Sequence, residues 1–297
     1  MLDFKEITLA DKDWTTELMR YANLRGSEYT FANLFNWRST YTVRIARFED
    51  FLLVRSGTAR FHYLYPAGRG DLAAALKAME ADAEANGVAF EMYGIPEEGR
   101  EKVEEIFPGR FIFKPVRDNF DYIYSRESLA TLAGKKLHGK RNHINKFMAS
   151  NPDWRYEPIT QENIADARAM NSAWCKINNC FEKHSTLQRE ACAVKSAFDH
   201  YFDLDLIGGL LRVADKTVAF TIGSPVTDDT FVVHIEKAFA DIQGAYPMIN
   251  QQFVQNALEG YTYINREDDM GDEGLRKAKE SYRPAMLYER YATAEKR

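Results

Sequence analysis

Stretches of alternating apolar and polar residues, with the period of a β-strand, recur along the chain between segments that have a helical spacing. In the first half, positions 4–38 have the helical spacing, and Asp71 is a suitable N-cap for an alanine-rich helix that Gly87 ends. The other elements predicted here are strands at 41–48, 51–55, 61–65 and 88–93, a helix at 96–107, and strands at 111–113 and 120–124 that close the sheet.

The second half repeats the order β-β-β-α-β-α-β. The elements predicted there are a hairpin of strands at 207–213 and 217–224, a strand at 230–236, a helix at 247–258, a strand at 261–264, a helix at 275–282 and a strand at 285–291. Three helical segments, 126–150, 160–176 and 186–202, connect the halves. We interpret the repeated order as an internal structural duplication.

The fold class expected from this order is α/β (α+β), with two mixed, mostly antiparallel sheets and flanking helices. A chain of 297 residues is long enough for two domains with separate cores. We expect a mainly structural domain at 1–125, and a second domain at 126–297 that contains the connecting helices and the site. The matching strand ends of the first half have fewer charged residues, which is why the site is expected in the second.

Composition and charge exclude several classes of function. A formal net charge of -5 does not indicate a general polyanion binder, so contact with nucleic acid would need a local basic patch. The three cysteines lack CxxC spacing and the histidines lack HExxH, so no metal site is expected. No apolar run approaches the roughly 20 residues of a membrane span, and the N-terminus has no signal pattern. We expect a cytoplasmic protein that could meet a membrane only peripherally.

The strand at 230–236 contains the first candidate site. Alternation places His234 and Glu236 on one face, with Val233 and Ile235 on the other. A histidine and a carboxylate two residues apart can act as a proton acceptor and the group that orients it. The alternative is a half-exposed strand with a polar outer face. Further candidates for substrate contact follow this strand, and they are Lys237, Gly244, Tyr246 and Asn250.

A second polar cluster follows the strand at 261–264, which a β-α-β order would place beside the His234 strand. Its candidates for substrate contact are Asn265, Glu267 and Asp269. Arg276 and Lys279, on the next helix, could stabilise developing negative charge. Lys279 should border the apolar face of that helix, which is formed by Leu275, Ala278 and Tyr282. The alternative is a solvated loop with surface ion pairs.

A basic segment at 135–147 contains five positive charges and no acidic residue. Its candidates for phosphate contact are Lys135, Lys136, Lys140 and Arg141. If the segment is one helix, Leu137, Ile144 and Met148 form its buried stripe, and Lys140 lies within or beside that stripe, where it could reach a buried anion. The alternative is an ordinary basic surface. Between the halves, Trp174, Asn178, Asn179 and Phe181 could line a pocket, although core packing is the simpler role for the aromatic residues.

These three motifs occur together in a known order. The basic segment 132–147, the His234-Ile235-Glu236-Lys237-Ala238 strand and the Asn265–Tyr282 region resemble the phosphatidylglycerol lysyltransferase C-terminal domain family over most of the chain. The resemblance implies tandem GNAT-like acyltransferase folds and the transfer of an aminoacyl group from aminoacyl-tRNA to a lipid. Fem-type peptidyltransferases are more distant tandem relatives. The membrane-embedded region of the lipid enzymes has no counterpart in this sequence, so the acceptor is expected to be a lipid or another small molecule.

For such an aminoacyl transfer we expect the following roles for the candidate residues. Arg276 and Lys279 would stabilise charge, and His234 or Glu236 would accept a proton. Glu267 and Asp269 would hold the donor amino group, and the tRNA phosphates would be contacted by Lys135, Lys136, Lys140 and Arg141. No cofactor is required by this scheme. The acyl-CoA loop of ordinary GNAT enzymes is not matched at Gln243–Tyr246, but an acyl-CoA-dependent N-acyltransferase remains an alternative, as does a non-catalytic binding protein of the same fold.

Overall fold

The computed structural model describes residues 2–180, 182 and 185–296, which form two compact units. The first unit contains the chain up to Asp121, the short segment Asp268–Asp272 and the chain from Leu287 onward. The second contains Tyr122–Glu267 and Glu273–Met286. The division therefore falls at 121/122 instead of the expected 125/126, and the end of the chain belongs to the first unit because its last strand pairs there.

The elements are numbered in chain order. The strands are β1 (Lys5–Glu6), β2 (Arg44–Phe48), β3 (Phe51–Gly57), β4 (Phe61–Gly68), β5 (Met92–Tyr93), β6 (Phe111–Pro115), β7 (Asp121–Ser125), β8 (Trp154–Pro158), β9 (Ile207–Val213), β10 (Lys216–Pro225), β11 (Thr230–Ala238), β12 (Tyr263–Asn265), β13 (Met286–Tyr288) and β14 (Tyr291–Glu295). The helices are α1 (Lys12–Ala22), α2 (Phe31–Tyr41), α3 (Leu72–Ala85), α4 (Glu97–Ile106), α5 (Arg126–Thr131), α6 (His138–Ser150), α7 (Ile164–Ile177), α8 (Thr186–Asp199), α9 (Ala245–Ala257) and α10 (Glu273–Glu280).

The first unit is built on a sheet with the order β1-β2-β3-β4-β5, antiparallel except for the parallel pair β4–β5. Asp71 caps α3 as expected, accepting a hydrogen bond from the backbone N–H of Ala74 at 3.0 Å. The expected helical region at 4–38 is divided between α1 and α2, because Asn23 adopts a left-handed φ of 51° and ends α1. The strand expected at 88–93 is reduced to the two residues of β5.

The last two strands expected in the first sheet lie elsewhere, and that prediction was wrong. β6 pairs with β14 in a separate two-stranded sheet, and β7 pairs antiparallel with β12 of the second unit. Three consecutive residues of β7, Tyr122, Ile123 and Tyr124, are fully buried. A strand buried on both faces is suited to the interior of a sheet that has cover on each side.

Within the second unit the strands run in the order β7-β12-β11-β10-β9-β8. α9 packs on one face, where Phe253 meets Phe231 with ring centroids 5.8 Å apart. On the other face, Phe198 of α8 lies 5.3 Å from Phe220 of β10. The expected helix at 126–150 is broken into α5 and α6, because Leu132 and Gly134 both have positive φ values, 50° and 84°.

Candidate functional site

β11 and β12 are parallel neighbours, as the β-α-β order predicts, but they pair over only three residues each. The ladder joins Thr230–Val232 to Tyr263–Asn265, and β11 then continues to Ala238 while β12 ends. The second half of β11 therefore has β10 on one side and no ladder to β12 on the other. Strand ends that part in this way form the crevice in which open α/β sheets hold ligands.

A β-bulge on β11 determines which side chains face this crevice. Ile222 of β10 pairs with Ile235, and Gly223 pairs with Val233, so His234 is an additional residue on β11. A bulge interrupts the alternation of side chains. Val233 consequently packs with Phe231 in the core beneath α9, whereas Lys237 on the other face reaches α7 and α8. The prediction that Val233 and Ile235 share a face was wrong for this reason.

His234 forms a hydrogen-bonded chain with a carboxylate and a hydroxyl group. Its Nδ1 lies 2.8 Å from Oε1 of Glu267, and its Nε2 lies 2.8 Å from Oγ of Ser224. Asn265 shapes the loop that presents Glu267, because its Oδ1 accepts the backbone N–H of Glu267 at 2.7 Å, and Glu267 has a φ of 57°. A carboxylate on Nδ1 orients an imidazole so that Nε2 can exchange a proton.

Glu236 is the centre of a second buried group. Its Oε1 accepts from Nη2 of Arg266 at 2.8 Å, and its Oε2 accepts from Nδ2 of Asn250 at 2.9 Å. The side chains of Glu236 and Arg266 are only 10% and 12% exposed. Burial lowers the pKa of Arg266 and the Glu236 carboxylate raises it, and the net result is a pKa above the usual range. The guanidinium is therefore held charged inside the protein.

Lys140 of α6 joins this group through an aromatic ring. Its Nζ lies 4.0 Å from the ring centroid of Tyr282, and the guanidinium carbon of Arg266 lies 4.7 Å from the same centroid. Burial, reinforced by the positive charge of Arg266, lowers the pKa of Lys140 to about 8. Lys140 was expected within or beside the buried stripe of its helix, and the half-buried side chain has that position.

Lys279 is buried, and it contacts the backbone beside the site. Its Nζ donates to the carbonyl oxygen of Arg266 at 2.5 Å, and the hydroxyl of Tyr124 donates to the carbonyl oxygen of Lys279 at 2.8 Å. The expected apolar face of its helix was wrong, since Leu275 and Ala278 are exposed. α10 ends at Glu280, so Tyr282 lies beyond the helix and does not continue that face.

The remaining candidates of the β11 region lie at the start of α9 and on the opposite face. Gly244 is the N-cap of α9 with a φ of 86°, and a Cβ atom there would lie 2.3 Å from the carbonyl oxygen of His143. Tyr246 is half-buried, and burial raises its pKa above the usual range, against the opposing effect of hydrogen bonds to Ala238 and Trp174. Lys237 donates to Oε1 of Glu190 at 2.7 Å and lies 4.0 Å from the Trp174 ring.

Two further candidates of the second polar cluster are Asp269 and Arg276. Asp269 belongs to the first unit, where its buried carboxylate accepts from Arg117 at 3.2 Å and from the backbone N–H of Gly271 at 3.0 Å. Arg276 is half-buried on α10. Phe181, expected to line a pocket, lies outside the described residues, whereas Trp174 donates from Nε1 to the carbonyl oxygen of Ala238 at 3.1 Å.

The basic segment has two kinds of side chain. Lys135 and Lys136 are exposed. Arg141 instead donates to the carbonyl oxygens of Leu132 and Gly134, so it fastens the turn between α5 and α6. Of the expected buried stripe, Leu137 and Ile144 are buried, but Met148 is 36% exposed and Phe147 takes its place. The buried face of α6 is therefore formed by Ile144 and Phe147, and the helix itself begins at His138, after Leu137.

Four residues of the site were not identified from the sequence as candidates. Arg266 lies inside the polar cluster at 265–269, so the sequence pattern could have identified it as a candidate. Ser224, Tyr124 and Tyr282 come from strands and loops that approach His234, Arg266 and Lys279 only in the folded chain. Tyr282 was assigned to the apolar face of the predicted helix at 275–282, and not to the site.

Two general features of the described residues bear on function. In residues 2–180, 182 and 185–296, no three or more His, Cys, Asp or Glu side chains are grouped so that they could hold a metal ion. Over the same part of the chain, no helix combines the length and the apolar character needed to cross a membrane.

Comparison with known proteins gives both close and distant similarities. A structure of a conserved protein of unknown function from Bacteroides thetaiotaomicron is 43% identical, with a TM-score of 0.95, and the alignment covers 100% of both chains. An uncharacterized protein of Mycoplasmoides gallisepticum is 24% identical over 174 residues, which are 58% of this chain and 54% of that protein. The match thus spans about half the length of this curated relative.

More distant structures define the fold. The C-terminal domain of a putative lysylphosphatidylglycerol synthetase from Agrobacterium fabrum has a TM-score of 0.69 at 16% identity, covering 96% of this chain and 92% of that one. A GNAT-family acetyltransferase from Colwellia psychrerythraea has a TM-score of 0.53 at 7% identity, covering 100% of both chains. The fold is therefore GNAT-like. The family model for the C-terminal region of phosphatidylglycerol lysyltransferase matches residues 19–294, nearly the whole chain, and the protein belongs to that family.

Proposed function

We propose that this protein is an aminoacyltransferase that moves an aminoacyl group from aminoacyl-tRNA to a lipid or another small acceptor. The family and the GNAT-like fold support an acyltransferase. The observation that carries the proposal is the His234–Glu267 pair, 2.8 Å apart, beside the place where β11 and β12 part. An oriented imidazole in a crevice is what a transfer to a hydroxyl or amine acceptor needs.

The reaction requires one proton acceptor and one proton donor. The acceptor's hydroxyl or amine attacks the ester carbonyl carbon, and His234 takes its proton at Nε2 once the hydrogen bond to Ser224 is exchanged. The bond from the carbonyl carbon to the ribose oxygen of tRNA then breaks, and that oxygen receives the proton from His234. Because the aminoacyl ester is already activated, positioning and charge stabilisation supply much of the rate.

The contacts of Glu236 favour His234 as the proton acceptor. Both carboxylate oxygens of Glu236 already accept hydrogen bonds, one from Arg266 and one from Asn250. We assign Arg266, which Glu236 holds in place, a role with Arg276 in providing positive electrostatic potential at the site. Glu267 is engaged by His234, which makes it the orienting carboxylate and not the ligand of the donor amino group. The exposed Lys135 and Lys136 remain the proposed contacts for tRNA phosphates.

The first experiment is a binding and transfer assay with purified protein, a panel of aminoacyl-tRNAs, deacylated tRNA and acetyl-CoA at physiological salt. Salt-sensitive preference for one charged tRNA, with transfer of its labelled amino acid to lipid vesicles or to a soluble acceptor, is the expected result. No cofactor is added. Binding of acetyl-CoA alone, with no response to any tRNA, would contradict the proposal.

That second outcome would favour an acyl-CoA-dependent N-acyltransferase. The GNAT-like fold and the parting of β11 and β12 are compatible with it. Binding of a charged tRNA without turnover under any acceptor would instead indicate a non-catalytic protein of the same fold.

A further inference from the structure

In the second unit, two positively charged side chains lie against one aromatic ring, and a single carboxylate acts on both of them. Lys140 and Arg266 both lie within 5 Å of the Tyr282 ring centroid, and Glu236 is the carboxylate that faces them. Each carboxylate oxygen of Glu236 already accepts one hydrogen bond, Oε1 from Arg266 and Oε2 from Asn250. The group therefore has one positive charge more than its carboxylate can balance.

Two donors in this group are not used. Nη1 of Arg266 is buried and has no hydrogen-bond partner among the described residues. Within the same part of the chain, Lys140 makes no ion pair, and its ammonium group rests on the Tyr282 ring. A half-buried cation without an ion pair and an unpaired guanidinium nitrogen are costly unless an anion joins them.

We propose that Lys140 and Arg266, backed by Tyr282, bind the phosphodiester group of the acceptor molecule. One excess positive charge matches the single negative charge of a phosphodiester, and Arg and Lys donors are the usual ligands of phosphate oxygens. The inference rests on the proposed function, since it takes the acceptor of that reaction as the ligand. It separates Lys140 from the exposed Lys135 and Lys136, which face solvent and suit the tRNA backbone.

The acceptor is favoured over tRNA because of the burial of the site. Arg266 is only 12% exposed, so little of its side chain is open to a ligand, which suits contact with one small anionic group better than contact with a run of backbone phosphates. An anion at this position would also restore the charged form of Lys140, whose pKa burial and Arg266 lower to about 8. Binding should therefore be accompanied by proton uptake near pH 8.

The test is equilibrium binding of glycerophosphoglycerol, a soluble phosphodiester headgroup, to the full chain, with inorganic phosphate, acetate and the dinucleotide CpA as further probes. The headgroup should bind, inorganic phosphate should compete with it, and acetate should not. Lys140→Met should weaken binding by roughly tenfold or more, and Lys140→Arg should restore most of it. Lys146→Met, an exposed lysine on the same helix, is the matched control and should stay within about twofold of the parent.

Equal affinity in the parent and in Lys140→Met would overturn the proposal, as would the absence of phosphodiester binding. Preference for CpA over the headgroup would also overturn it and would give the site to the 3′ end of tRNA. Equilibrium binding is measured without any transfer reaction, so this test of the anion site does not depend on whether the protein is a transferase. If the headgroup binds but no aminoacyl transfer is detected, the proposed transferase activity is contradicted and the proposed anion site is supported.

Discussion

Lys279 donates a hydrogen bond from Nζ to the backbone carbonyl oxygen of Arg266 at 2.5 Å. The lysine is only 8% exposed, and its own carbonyl oxygen accepts from Tyr124. A residue that was expected to stabilise charge on the substrate is thus used to hold the loop that carries Arg266 and Glu267. Its effect on a reaction would be exerted through the position of those two side chains.

Lys279→Met should therefore reduce both stability and transfer. Removing the donor leaves a carbonyl oxygen in a buried place unpaired, which costs about 1–3 kcal/mol in the free energy of unfolding. Denaturant unfolding and initial transfer rates measure the two effects. The control is Lys277→Met on the same helix, where the lysine is exposed and its 3.9 Å pair with Glu273 is solvated. A Lys279→Met protein with unchanged stability and no transfer would show that the lysine contacts the substrate directly.

Replacement of Glu267 by Gln tests the orienting role of the carboxylate. The amide can keep a hydrogen bond to His234 but removes the negative charge that stabilises the protonated ring. We expect the transfer rate to fall by roughly 10²–10⁴, with substrate binding little changed. The chain offers a matched control in Glu91→Gln, because Glu91 lies 3.1 Å from His62 in an exposed pair of the first unit. Equal losses in the two variants, or a full rate in Glu267→Gln, would refute the assignment.

The sequence predicted those parts of the fold that local pattern decides. The Asp71 cap, the hairpin of β9 and β10 and the parallel neighbourhood of β11 and β12 follow from residues close together in the chain. The destination of β7 could not be predicted in this way. Whether that strand completes the first sheet or lies beside β12 depends on which distant edge is free, and its own residues are compatible with both.

The site shows the same limit at the scale of side chains. His234 and Glu267 were candidates because polar residues at strand ends are informative by themselves. Their pairing depends on the bulge at His234, which depends on the register with Gly223, and on the left-handed conformation of Glu267. Arg266 was missed as a site residue because its partner Glu236 lies 30 positions away, and only the folded chain brings the two within 2.8 Å.

Glu28 gives the first unit a pH-dependent stability. Burial raises the pKa of Glu28 to about 7, against the opposing effect of Arg290, which lies 3.0 Å away and also pairs with Asp121. The folded protein then binds more protons than the unfolded chain between the ordinary pKa of 4.5 and about 7. The free energy of unfolding should consequently fall as the pH rises through this window, and the full loss is reached above pH 7.

Glu28→Gln should remove this dependence. The variant should match the parent below the window and exceed it above pH 7 by up to about 3 kcal/mol, since each pKa unit is worth about 1.4 kcal/mol. Denaturant unfolding at a series of pH values from about 4 to 8 gives the two curves. Glu101→Gln, on the exposed side of α4, is the control and should leave the parent curve unchanged. Parallel curves for Glu28→Gln and the parent would rule out Glu28 as the titrating group.

Gly244 allows α9 to begin close to α6, and its replacement tests how tightly that approach is set. The residue has a φ of 86°, and a Cβ atom would lie 2.3 Å from the carbonyl oxygen of His143 and 2.9 Å from Cβ of Phe147. Gly244→Ala should lower the free energy of unfolding by roughly 2–4 kcal/mol, because a left-handed alanine and a displaced helix add their costs. Gly260→Ala is the control, since a Cβ atom there would meet nothing within 4 Å.

The start of α9 also positions Asn250 against Glu236, so Gly244→Ala should reduce transfer beyond what the fraction of folded protein explains. Both quantities can be measured on the same preparations by denaturant unfolding and by transfer rate per folded molecule. A Gly244→Ala protein as stable as Gly260→Ala would mean that the backbones of α6 and α9 separate without cost.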